Sequence, residues 1–242
     1  MGTPTVRATH TAIPGVVLFE PTPHRDHRGF FTRTYDASMA RVLGVDPGTF
    51  VQDSLSRSRR GVLRGLHVRV GSGEAKLVRC SAGAVFDVVV DLRPDSPEFG
   101  RWLSFDLDGD SQRSVYIPAG CAHGFQALTD PADTSYRIDR EHDPAEDLTI
   151  AHDDPTLAIP WPLEVTAMSD ADAAAQPLSE LQAQLRRIRA GDPTTLPRPP
   201  VATPAVATQP PVPASGHGRS TRPPGPGPRP RGALDSNSEV LS

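Results

Sequence analysis

One histidine, His67, sits inside a segment crowded with fixed cations: Arg57, Arg59, Arg60, Arg64, Lys76 and Arg79 all fall between Gln52 and Asp91. A strand that carries a titratable ring and several cations can face an anionic ligand. It can equally hold a core histidine beside a solvated basic edge, and these residues alone leave both readings open. Of the chemistries available, proton transfer beside a carbonyl suits a histidine and a lysine best. Removing a proton α to a ketone builds negative charge on the ketone oxygen, which a fixed ammonium such as Lys76 would stabilise. A histidine near its ordinary pKa can take that proton. A second acid is then needed to return a proton to the opposite face. A phosphate loop is not expected, because Gly71-Ser72-Gly73 lacks a following Lys-Ser/Thr and a helical pattern.

The elements that would hold these residues read as strands. Val62-Leu63 and the run 84–90 are short Val/Leu-rich stretches set off by glycine. Residues 8–20 give a strand, a Pro-Gly turn and a second strand. Arg28-Gly29 predicts a turn into an aromatic strand bearing Phe30, Phe31 and Tyr35, and 37–45 a short helix closed by Gly44. Strand character resumes over 50–54, 102–107, 114–118, 125–128 and 134–138, with the tight turn 118–124 delivering His123 to the strand that follows. The stretch 143–163 reads as loop. Leu178, Leu181, Leu185 and Ile188 fall on one face of a helix, and Ser169 and Asp170 are candidate caps for a short turn before it. Many short strands at regular spacing predict a β-sandwich or barrel.

Composition divides the chain. Of 27 prolines, 13 follow Ala190, in a segment with almost no aromatics. Residues 191–242 cannot bury enough apolar surface to offset the entropy of ordering, and are expected to be a disordered Pro-rich tail. The expected folded domain is 1–190. The tail carries five arginines and three acids, so the overall charge of −4 becomes −6 for the first 190 residues. An acidic domain argues against nucleic acid as partner. No apolar run reaches membrane length, and no signal peptide is evident. Cys80 and Cys121 have no zinc spacing and read as small buried residues with reduced thiols, which points to a cytoplasmic location.

Gly61-x5-His67 and Pro118-x-Gly120-x2-His123 resemble the two motifs of cupins, the small jelly-roll barrels. The fold class expected is therefore all-β, a cupin-type jelly roll with short helices. Metal-binding cupins place a second histidine where this chain has Arg69, and a guanidinium cannot bind a cation. Glu74 and His123 alone would make a poor metal site. The longer motifs QDSLSRSRRGVLRGLH, AKLVRC, VFDVVVDLR, YIPAGCAHGF and DDP-x-LAI-x-WPL then resemble the dTDP-4-dehydrorhamnose 3,5-epimerase family, from about Thr11 to Pro177.

The resemblance implies a homodimer acting on a dTDP-linked 4-keto-6-deoxyhexose without metal or organic cofactor. By the resemblance the catalytic base is His67 of Arg64-Gly65-Leu66-His67. Its carboxylate partner is Asp172 of Ser169-Asp170-Ala171-Asp172, with Asp170 as the alternative. Lys76 matches the enolate-stabilising lysine and Tyr136 the tyrosine that donates a proton from the other face. His123 and Asp87 match a supporting pair. Arg64 and Gln52 match ligands of the diphosphate and sugar, with Ser54 beside them, and Arg28 and Phe31 match residues lent across the dimer. The chain departs from the family pattern at Ser54 (usually Asn), at Arg33 (often Glu), at His24 (commonly aromatic) and at Glu141-His142 (often a Tyr-Tyr pair). These departures touch nucleotide or sugar contacts, so a single-position 3- or 5-epimerase is a rival reading. A non-catalytic sugar-nucleotide-binding cupin is a rival from another class.

Overall fold

Short β-forming runs broken by Gly, Pro and Asp turns build two facing antiparallel sheets. The computed structural model describes residues 6–71 and 73–189; the proposed tail, 191–242, lies outside the described residues. The first strands are β1 (Val6–His10) and β2 (Val17–Pro21), then the hairpin β3 (His24–Asp26) and β4 (Gly29–Phe31). Helix α1 (Ala37–Leu43) follows, capped by Asp36, whose carboxylate accepts from the Ser38 and Met39 amides, and closed by Gly44 at φ 70°. The barrel strands are β5 (Gln52–Ser58), β6 (Leu63–Arg69), β7 (Lys76–Ala82), β8 (Ala84–Asp91), β9 (Trp102–Asp108), β10 (Ser114–Ile117), β11 (Cys121–Ala127) and β12 (Ala132–Ile138). The chain ends its described part with β13 (Asp147–Thr149), α2 (Asp170–Ala173) and α3 (Leu178–Arg189).

One sheet runs β1-β2-β10-β7-β12-β5 and the other β13-β6-β11-β8-β9, with β3-β4 a separate ribbon. This is the all-β jelly roll expected. Its interior is filled by Val78 and Cys80 of β7, Val85 and Val89 of β8, Val115 and Ile117 of β10, and Phe125 of β11. The same β8 sends Val88 and Val90 to the outer face, where Ile150, Leu157, Ile159, Leu178 and Leu181 cover them. A strand buried on both faces needs no polar alternation, which is why VFDVVV is a nearly continuous apolar run. Across the other sheet, Met39 of α1 packs on Val17, Phe19 and Leu77.

Three local readings change. His123 lies within β11, not in the turn before it, because the turn closes at Gly120 (φ 85°) and the strand begins at Cys121. The aromatic strand stops at Phe31 and leaves Tyr35 outside it, stacked edge-on against Phe50. The stretch read as loop holds β13, paired with β6. Asp154, in the same stretch, is buried and accepts from the amides of Thr156 (2.8 Å), Leu157 (2.9 Å) and Leu178 (2.6 Å), so it also fixes the start of α3. Both cysteines are free and buried. No helix among the described residues is long and apolar enough to cross a membrane.

Candidate active site

The site begins where β6 and β11 touch. His67 and His123 are directly opposite each other in the ladder, and the register then shifts before Phe125 pairs with Arg64. Gly65 (φ 116°) makes this approach possible. A Cβ there would lie 2.6 Å from Gly124 Cα and 2.7 Å from the His123 carbonyl oxygen, too close for any side chain. The alternation of β6 then sends Leu66 and Val68 outward into the second core and turns His67 to the other face, where it stays partly exposed.

His67 Nε2 lies 2.6 Å from Asp172 Oδ1. The carboxylate is delivered by α2, where the Ser169 hydroxyl caps the helix by accepting from the Asp172 amide at 3.1 Å. Asp172 is 4% exposed and His67 46% exposed, so the pair has a buried anchor and an open working end. Burial pushes the Asp172 carboxyl up, but hydrogen bonds from His67 and Ser169 and the His67 charge outweigh it and hold the group below its ordinary value. An ionised carboxylate only accepts, which places a proton on Nε2, so that in the neutral imidazole the Nδ1 lone pair is free.

The facing sheet supplies Tyr136. It lies in β12 opposite Ser54 of β5, its hydroxyl 3.1 Å from Ser56 Oγ, and its ring meets His123 edge-on at 6.2 Å. His123 in turn is buried and bonded through Nε2 to Asp87 Oδ2 at 2.7 Å. His123 thus stands between His67, its ladder partner, and the ring of Tyr136. Burial raises the Tyr136 phenol well above the usual tyrosine range, with Ser56 and Arg64 opposing that only in part. The phenol is therefore fully protonated at neutral pH and available as an acid.

Lys76 opens β7, with Nζ 2.9 Å from Glu74 Oε1, and Glu74 Oε2 is 2.6 Å from Arg69 Nη1. Both oxygens of the one carboxylate that cupin analogy offers to a metal are thus engaged by cations. Among the described residues no group of three His, Cys, Asp or Glu side chains is placed to hold a metal ion.

Residues 10–180 match the family described as dTDP-4-dehydrorhamnose 3,5-epimerase. The chain belongs to that family. It is 45% identical over 159 residues to the dTDP-4-dehydrorhamnose 3,5-epimerase of Pseudomonas aeruginosa, covering 66% of this chain and 88% of the relative. Among solved structures, it resembles NovW of Streptomyces spheroides, a 4-keto-6-deoxy sugar epimerase from the novobiocin biosynthetic gene cluster. There the TM-score is 0.72 at 40% identity, covering 75% of this chain and 92% of that one. It also resembles a dTDP-6-deoxy-D-glucose-3,5-epimerase of Legionella pneumophila in complex with dTDP-4-keto-L-rhamnose, with a TM-score of 0.71 at 42% identity over 75% of this chain and 97% of that one.

This member of the epimerase family gathers His67, Asp172, His123, Tyr136, Gln52, Ser54 and Arg64 around the two facing sheets. Gln52 donates to Ser54 Oγ at 3.2 Å, and Arg64 Nε donates to Ser58 Oγ at 3.1 Å. Asp172 rather than Asp170 meets the histidine; Asp170 is exposed at the first turn of α2. Arg28 and Phe31 stand apart on the β3-β4 ribbon, where Arg28 pairs with Asp26 and Phe31 is 65% exposed. Sequence reasoning missed Ser56 and Ser58, although a signal was present. In QDSLSRS the small polar residues at 54, 56 and 58 alternate with bulkier ones, which puts them all on Tyr136's side of β5. It also missed the fork from Arg57 Nε and Nη2 to Asp133, both arms 2.7 Å, that braces β5 against β12.

Proposed function

We propose that this protein epimerises C3 and C5 of a dTDP-linked 4-keto-6-deoxyhexose, in deoxysugar biosynthesis, as a cytoplasmic homodimer with sites completed across the interface. The observation that carries the reading is the placement of an Asp172-bound His67 on one sheet and a protonated, buried Tyr136 on the sheet facing it. His67 Nδ1 removes the proton at C5, and later that at C3. The electron pair moves to the C4 carbonyl, and the resulting enolate oxygen is met by the Lys76 ammonium. Re-forming the ketone takes the Tyr136 proton on the opposite face, which inverts the centre. The Tyr136 phenolate regains a proton and His67 loses one to solvent, so no net charge accumulates. Arg64, Gln52 and Ser54 hold the diphosphate and sugar, His123 supports the two reacting groups, and Arg28 and Phe31 reach the neighbouring site. No step in this sequence calls on a metal or an organic cofactor. The catalytic unit on this reading ends by residue 190.

Incubation with dTDP-4-keto-6-deoxyglucose in heavy water tests it. Label at both C3 and C5, with inverted product, is the expected result. Label at one centre favours the second reading, a single-position epimerase, which the Ser54, Glu141 and His142 departures support. Tight binding with no label at either centre refutes catalysis and leaves a binding protein.

A further inference from the structure

Between the two sheets runs a buried chain of charge of which the proposed reaction uses only Lys76. Arg69 and Lys76 are 3% and 14% exposed, and the carboxylate between them, Glu74, is 7% exposed. Arg69 belongs to β6, two residues beyond His67, whereas Lys76 opens β7 in the opposite sheet. Glu74 lies in the connection between them. That connection is fixed at Gly73, whose amide donates to the Val70 carbonyl at 3.2 Å, and at Ala75, whose amide donates to Asp139 Oδ1 at 2.8 Å. Each carboxylate oxygen takes one cation, so Glu74 has no freedom to swing to a different partner.

Arg69 does not depend on Glu74 alone for compensation. Its Nε donates to Asp147 Oδ1 at 3.0 Å and its Nη1 to the Glu141 carbonyl at 2.9 Å. Arg69 is therefore held independently and can serve as the anchor. Lysine, by contrast, is a point charge on a flexible four-carbon stem, and catalysis by an ammonium requires it to be in place before charge develops. We propose that Glu74 is a positioning residue: anchored by Arg69, its carboxylate fixes the Lys76 ammonium where the enolate oxygen forms. Glu74 divides its one negative charge between Lys76 and Arg69, so the clamp does not cancel the charge it holds. This inference rests on the role proposed for Lys76.

Glu74→Gln keeps the shape and removes the charge. In the full-length protein, kcat for deuterium exchange is expected to fall about 10- to 100-fold with KM changed less than about threefold. Because Glu74→Gln also leaves a buried arginine short of an anion, Arg69→Gln/Glu74→Gln is made beside it. That pair restores the melting temperature while kcat stays at least about tenfold low, since Lys76 still lacks its carboxylate. In a Lys76→Met background, Glu74→Gln changes the residual rate less than about twofold. A double variant that regains wild-type kcat, or an equal Glu74→Gln loss with and without Lys76, overturns the inference. Acetylation of Lys76 by acetic anhydride, read by peptide mass spectrometry, needs no turnover and separates the clamp from the reaction. Reactivity several-fold higher in Glu74→Gln than in wild type supports the clamp even if wild type exchanges no deuterium, which would sink only the epimerase reading. Equal reactivity in the two proteins overturns the clamp whatever the reaction proves to be.

Discussion

Replacing Asp172 by Asn tests the centre of the proposed reaction with a change of one atom. The wild-type carboxylate is 4% exposed and 2.6 Å from His67 Nε2, and its depressed pKa keeps it an acceptor only. The imidazole proton is thereby confined to Nε2. Asparagine offers an NH₂ in the same place; donating it to Nε2 moves the ring proton to Nδ1 and blocks the position that takes the substrate proton. It also removes the negative charge that steadies the imidazolium. A hydrogen bond to a charged group contributes about 1.5–3 kcal/mol, or roughly 10- to 150-fold in rate. Loss of the correct tautomer adds to this, up to the about 10²–10⁴ that general base catalysis supplies in total. Asp172→Asn should therefore lower kcat for deuterium exchange about 10²- to 10⁴-fold, with KM within about threefold. Asp170→Asn, at the exposed neighbour, should stay within about twofold of wild type. The pH dependence of stability gives an independent check. Because the folded Asp172 pKa is depressed, its contribution is present above the unfolded value of about 3.9 and is lost as pH falls through the folded value. The melting-temperature gap between wild type and Asp172→Asn should accordingly narrow below about pH 4. Activity of Asp172→Asn within threefold of wild type, or an equal loss in Asp170→Asn, would refute the reasoning.

Tyr136→Phe removes the acid and leaves the base: deuterium should still wash in from the His67 face, while inverted product falls about 100-fold or more, as followed by NMR. Loss of both signals together would mean that Tyr136 does not act from the opposite face. Gly65→Ala places a Cβ 2.6 Å from Gly124 Cα at φ 116°; backbone strain and overpacking together cost about 2–6 kcal/mol, seen as a melting temperature lower by roughly 4–24 °C. An unchanged melting temperature would show that β6 and β11 do not approach this closely. Burial raises the Cys80 and Cys121 thiols to about 11 and about 12, so iodoacetamide at pH 8 should leave both unmodified in the native protein and alkylate both once it is unfolded. Rapid alkylation of native protein would contradict their burial.

What the sequence made legible follows from how local the signal is. His67 and Lys76 lie in strands whose Val/Leu runs and neighbouring glycines are local features, and Tyr136 is the centre of the short run Thr-Ser-Tyr-Arg-Ile, so their elements could be placed directly. His123 was misplaced because proline and two glycines in PAGCAHGF all looked like turn residues. Only Gly120 makes the turn. Gly124 lies inside β11, where a Cβ would meet the Arg64 carbonyl oxygen at 2.8 Å, so its reason is the approach of another strand. The choice between Asp170 and Asp172 turned on cap geometry in a four-residue helix, because only the residue three beyond Ser169 turns inward. β13 is three residues long and owes its form to β6, not to its own Asp-Leu-Thr. Glu74 was visible as a carboxylate, but its bond to both cations depends on two sheets meeting, which no local pattern records.

The division of labour between the sheets bears on how many centres are inverted. In the proposed reaction the base belongs to β6 and the acid to β12, in separate sheets that share one apolar interior through Val78, Val89 and Phe125. Such a core does not let two sheets slide by the distance separating C3 from C5 of a hexose. Inverting both centres therefore requires the sugar to turn between a fixed base and a fixed acid. The residues that would permit or prevent that turn are those that grip the substrate, not those that move protons. Gln52 and Ser54 bond to each other along β5, next to Ser56, which bonds the Tyr136 hydroxyl. Ser54 departs from the usual asparagine and is directly opposite Tyr136 in the ladder. A shorter side chain there widens the space beside the acid, so Ser54→Asn should change the ratio of C3 to C5 labelling while leaving the faster exchange within a few-fold of wild type. An unchanged ratio would place the control of regiochemistry elsewhere than on β5.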